Sequence, residues 1–112
     1  MHIENDYLVI VLDILKRIVP NYEVRAFGSR VHGEQLKKFS DLDLAIMTET
    51  RLPFKIIDEL KEEFSEAMIP FRVDVLDWAT VSPEFRKIID ANYEVVQIGD
   101  EIGVTKTESK KC

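Results

Sequence analysis

At 112 residues, with 46% hydrophobic and 32% charged side chains, the chain is sized and composed for one globular domain rather than a disordered polymer. Its formal net charge of −6 excludes a broad, sequence-independent grip on nucleic acid, which depends on neutralising phosphates. No apolar run approaches the length of a membrane span, "MHIENDYLVIVL" lacks a basic start and cleavage site, and the single cysteine, Cys112, has no internal partner, so a cytoplasmic location is expected.

Taken in chain order, residues 4–19 place Tyr7, Leu8, Val11, Leu12, Leu15, Ile18 and Val19 at three-and-four spacing, which predicts an amphipathic helix ending before Pro20. "YEVRAF" (Tyr22–Phe27) reads as a short strand stopped by Gly28, and a brief helix starting near Ser29 fits the segment that follows. "DLDLAIM" (Asp41–Met47) alternates: Leu42, Leu44 and Ile46 face one way, Asp41, Asp43 and Ala45 the other. Pro53 suits the first turn of a second long helix, with Phe54, Ile57, Leu60 and Phe64 along one side.

"FRVDVLD" (Phe71–Asp77) is a third strand, in which Val73 and Val75 oppose Asp74. Ser82-Pro83-Glu84 is a helix start, with serine to cap, proline at the first helical position and glutamate at the positive end. That helix carries Phe85, Ile88 and Ile89, and "YEVVQI" (Tyr93–Ile98) is a fourth strand. The expected fold class is α/β (α+β): helices packed on a mixed sheet of about four strands. A single domain over 1–98 is followed by a polar tail, 99–112.

The charge is unevenly spread. Arg25, Arg30, His32, Lys37 and Lys38 cluster around the first two strands, while acids dominate "DELKEEFSE". Two solvated faces of opposite sign explain this, and a small anionic ligand would also suit the basic cluster.

Gly28-Ser29 allows a sharp turn, close approach of a ligand to the backbone and, at a helix start, a small anion site; alone it reads equally as a turn glycine with a capping serine. Gly28 and Gly33 imitate a phosphate-binding P-loop, but Glu34 and Gln35 stand where lysine and serine or threonine are required, which excludes it. Asp41 and Asp43, two apart on a strand, share a face and suit a shared cation; solvated aspartates at a strand start are the plain alternative. No EF-hand glycine or closing glutamate is present, and the pair precedes its hydrophobic strand, unlike that of haloacid-dehalogenase-type phosphatases.

Asp74 lies mid-strand, where a charged residue calls for a partner. It stands beside Asp43 if the two strands are neighbours, and an ion pair with Arg72 or Arg25 is the alternative. Three converging carboxylates fit one or two Mg²⁺ ions, about 4 Å apart when paired, as in phosphoryl or nucleotidyl displacement. Asp77 reads as a turn or cap residue, His32 as a loop histidine within reach of a phosphate or of solvent, and Trp78 as a core residue or an interface one.

Gly28-Ser29, Asp41-Leu-Asp43 and the isolated Asp74 together resemble the signature of the nucleotidyltransferase (polymerase β-like) superfamily. The compact size is similar to that of its minimal members, the MNT proteins paired with HEPN-domain partners. "AFGSRVHGEQLKKFSDLDLAI" and "PFRVDVLDWATVSPEFR" carry the resemblance, which runs from about Ile10 to Ile98. The span from Ser29 to Asp41 is one residue longer than that pattern usually has, and the extra residue falls in the polar "EQLKK".

The resemblance implies that Asp41, Asp43 and Asp74 are catalytic and hold Mg²⁺, with two ions expected. It implies that Gly28 and Ser29 meet the β- and γ-phosphates of ATP or another nucleoside triphosphate, that Arg30 steadies the leaving pyrophosphate, and that Asp74 helps to deprotonate the acceptor hydroxyl. It further implies an antitoxin that transfers AMP to a HEPN-type helical partner, in a homo- or hetero-oligomer. A non-catalytic antitoxin that neutralises its partner by complex formation is the alternative. A metal-dependent phosphatase or nuclease is a third reading, against which the Gly-Ser turn ahead of the aspartate pair weighs.

Overall fold

The fold is that of a computed structural model, which describes residues 1–33 and 41–99. Lys37, Lys38, the extra residue of "EQLKK" and the tail from residue 100 onward lie outside the described residues. The elements run α1 (Asn5–Ile18), β1 (Val24–Phe27), α2 (Ser29–His32), β2 (Leu42–Ile46), α3 (Phe54–Glu66), β3 (Val73–Asp77), α4 (Pro83–Ala91) and β4 (Tyr93–Gln97). The four strands form one mixed sheet in the order β3-β2-β1-β4. β1 is antiparallel to β2 and to β4, whereas β2 and β3 are parallel, as the long crossover through α3 requires.

The helices form where the apolar spacing places them. α1 buries Val11, Ile14 and Leu15, and its last turn closes with the Val19 N–H donating to the Leu15 carbonyl before Pro20. α4 starts as its sequence dictates, with the Ser82 hydroxyl accepting from the Phe85 N–H at 3.2 Å and Pro83 in the first helical position. Of the expected apolar stripe on α3, Leu60 and Phe64 are buried, but Phe54 is 78% exposed, because it lies at the first position of the helix, beyond the edge of the core. On α4 only Ile89 is buried; Ile88 is largely exposed and Phe85 partly so, its ring edge-on to that of Phe27.

Strand alternation divides the packing between two faces of the sheet. Leu42, Leu44 and Ile46 join Val24, Ala26, Val73 and Val75 against α1 and α3 in the main core. Leu42, Leu44 and Ile46 are wholly excluded from solvent, and burial of such a side chain contributes about 1.5–3 kcal/mol. The opposite face carries a smaller cluster, in which Phe27 and Ala45 meet Ile89 of α4, flanked by Leu76, Trp78 and Val81. Trp78 is thus a half-buried packing residue. Asp77 is buried as the last residue of β3: its carboxylate accepts from the Leu52 N–H at 2.7 Å and from the Thr48 hydroxyl, tying β3 to the loop that leads into α3.

Candidate active site

Register builds the site. Phe27 pairs with Asp43, and Asp43 with Asp74, so one row across β1, β2 and β3 sets the two carboxylates side by side. Asp41 precedes β2 and projects to the same side, two residues before Asp43. The three acids therefore gather where β1 ends and the parallel strands β2 and β3 begin. This is the face left uncovered beyond the small Phe27–Ala45–Ile89 cluster.

Gly28 follows directly. It sits at φ 87°, ψ −161°, a conformation that side chains rarely adopt, and turns the chain into α2. A Cβ there would lie 2.5 Å from Asp43 Oδ2. Only a glycine lets the Gly-Ser backbone press against that carboxylate, so the candidate phosphate turn and the candidate metal ligands share one small space. Ser29 opens α2 as expected, half-exposed at the same corner.

Arg30 is placed differently from Gly28 and Ser29. It is only 5% exposed, with its Nη1 donating to the His2 carbonyl at 2.8 Å and its guanidinium 4.2 Å from the centre of the Phe71 ring. Burial pulls its pKa down, and the charge of Asp41 acts in the opposite direction. The side chain is thus buried against the Phe71 ring rather than exposed to solvent.

Among the described residues Arg72 is a cation at the mouth, an ion-pair alternative for Asp74 in the sequence. Its exposed guanidinium spans Asp41 Oδ2 (Nη2, 3.4 Å) and Asp74 Oδ1 (Nε, 3.5 Å). Arg25 is instead engaged with Glu23 and Asp90. The signal for Arg72 was available: it stands two residues before Asp74 and so shares its face.

The electrostatics mark Asp43. Partial burial, then the charges of Asp74 and Asp41, push its pKa up to about 6, with Arg72 acting in the other direction. An ionised Asp43 is thus held in a place that disfavours its charge. An open cleft of about 840 Å³ runs from Asp43 and Asp74 along β3, walled by Phe27 and Phe85 on one side and by Phe64 and Lys61 on the other.

Residues 8–101 match the nucleotidyltransferase domain family. The chain belongs to that family. This nucleotidyltransferase is 55% identical over 97 residues to the probable protein adenylyltransferase MntA of Haemophilus influenzae, covering 87% of this chain and 84% of that protein. Its fold matches that of a chain in a crystal structure of a toxin-antitoxin with AMP-PNP (TM-score 0.67, 20% identity, 84% of this chain and 75% of that one). It also matches a chain in the structure of a tri-AMPylated Shewanella oneidensis HEPN toxin in complex with its MNT antitoxin (TM-score 0.61, 17% identity, 81% and 69%).

As a nucleotidyltransferase, the enzyme takes a nucleoside triphosphate as substrate and uses metal. The residues present fit a divalent cation. Their donors are hard carboxylate oxygens from adjacent strands, Asp43 is destabilised as a charge, and a glycine leaves its approach open. Among the described residues no three such side chains already stand as a closed ligand cluster. Arg72 bridges two of the carboxylates.

Proposed function

We propose that the enzyme transfers AMP from ATP, with Mg²⁺ bound by Asp41, Asp43 and Asp74, to a hydroxyl of a HEPN-domain partner protein, and so acts as the antitoxin of a cytoplasmic pair. The observation that carries the site assignment is the shared row of Asp43 and Asp74, with the Gly28 backbone closed onto Asp43. The identity of the donor, acceptor and partner is supported by the strong likeness to a probable protein adenylyltransferase and by the toxin-antitoxin complexes that share the fold. Among the described residues no helix is long and apolar enough to cross a membrane.

Bound Mg²⁺ neutralises the triphosphate and polarises the bond to be broken. Asp41, Asp43 and Asp74 would hold the metal, and the Gly28-Ser29 turn would receive the β- and γ-phosphates. Asp74 accepts the proton of the acceptor hydroxyl. The acceptor oxygen bonds to the α-phosphorus in line, the bond between the α-phosphorus and its bridging oxygen breaks, and pyrophosphate leaves with that electron pair. Arg30, buried beneath the turn, acts as a fixed positive charge behind the leaving pyrophosphate.

The test is a transfer assay with Mg²⁺, α-labelled ATP and a purified HEPN-domain partner, with Asp43→Asn as control. The expected result is one added AMP per acceptor site by intact mass, absent from the control, while the variant still binds the partner. A folded wild-type chain that binds the partner and labels nothing would replace this reading with that of a non-catalytic, masking antitoxin.

A further inference from the structure

β3 is an edge strand: β2 lies on one side, and among the described residues no strand pairs with the other. The Leu42 N–H donates to the Arg72 carbonyl, so the backbone groups of Arg72 and Asp74 point inward to β2. Those of Val73 and Val75 therefore point outward, into the cleft. Residues 71–76 all line that cleft, whose volume is about 840 Å³ and which also contains Asp43. An unpaired edge is a template for another extended chain, and here it passes the carboxylates of the reaction.

We propose that the acceptor polypeptide binds as a short added strand on the free edge of β3, its hydroxyl residue opposite Asp74. This rests on the reading of the enzyme as a protein-modifying nucleotidyltransferase and specifies how its acceptor is held. Side chains of the added strand alternate as those of β3 do. The hydroxyl residue falls on the Asp74 face, and its neighbours two positions away meet Leu76 and the 37%-exposed Phe85. The residues between them fall on the α3 side, where Lys61 and Ser65 line the cleft. Lys61 suits a carboxylate there, so the segment is an extended one that alternates a hydroxyl and apolar residues with at least one acid.

Hydrogen exchange and two variants test this. In complex with the purified HEPN-domain acceptor, the amides of Val73 and Val75 are expected to gain protection. Ser65→Trp, which fills the cleft from an exposed helical position, and Lys61→Glu are expected to raise the KM for the acceptor about tenfold or more. ATP binding by both variants, read by calorimetry, checks that the site still folds. Failure of the wild-type chain to label the acceptor would overturn the underlying reading of the enzyme. Normal labelling with Val73 and Val75 unprotected would overturn the strand pairing alone. So would protection of these amides by ATP without acceptor, which would give the cleft to the nucleotide.

Discussion

Asp43 is asked to carry a charge where its surroundings oppose one. Its folded pKa of about 6 lies above the ordinary value of 3.8, so the folded state binds its proton more tightly than the unfolded state does. The stability this gives is present below about pH 4 and is lost as pH rises through about 6. At neutral pH the ionised side chain is a net cost to the metal-free protein. Asp43→Asn should therefore raise its stability by about 1 kcal/mol at pH 7, after allowance for solvent screening of a half-exposed group, and by nothing near pH 4. Urea denaturation at the two pH values reads the difference, and Mg²⁺ binding to the wild type should weaken below about pH 6 as protons compete. Gly28→Ala acts on the same carboxylate from the backbone side. With φ at 87° and Asp43 Oδ2 2.5 Å from the new Cβ, it should cost about 1–3 kcal/mol and markedly weaken metal-nucleotide binding, measured by thermal melts and calorimetry.

Among the elements, the crossover β2–α3–β3 does the positioning. Parallel pairing sets Asp43 beside Asp74 at one end of the strands, and at the other end Asp77 closes the loop into α3 through Thr48 and Leu52. Asp77→Ala leaves a buried hydroxyl and a buried N–H without their acceptor, so a loss of about 2–3 kcal/mol is expected in chemical denaturation, far from the reacting groups. The sequence marked Asp77 as a turn or cap residue; it does stand at the start of the 3-10 turn Trp78–Thr80, but its carboxylate bonds the Thr48 hydroxyl and the Leu52 N–H and caps no helix. Its burial was not legible, because the partner loop is distant along the chain. Helix starts were legible in detail, since Ser82 and Pro83 act within a single turn, whereas the exposure of Phe54 was not, because helical spacing says nothing about where the core stops.

For the whole molecule, folding gathers like charges at one corner, which a bound cation would relieve. Arg72 bridges Asp41 and Asp74 as a partial counter-ion, at distances that leave it a loose one. Mg²⁺ with a non-hydrolysable ATP analogue, at about a hundred times its Kd, should stabilise the wild type by about 2.7 kcal/mol, seen as a raised Tm. The analogue without metal should do far less, and Asp43→Asn should abolish the gain.

The sequence by itself determined the elements and which residues share a face, because helix caps and strand alternation are local and act over a few residues. Through Gly28-Ser29, Asp41-Leu-Asp43 and Asp74 it also pointed to the nucleotidyltransferase family, to which the chain belongs. Only the tertiary structure decided that β2 and β3 are neighbours in the register that pairs Asp43 with Asp74, that Gly28 abuts Asp43, and that Arg30 is buried. These are contacts between distant segments. Strand order, register and the depth of a side chain depend on how the whole core closes, which no short stretch of the chain specifies.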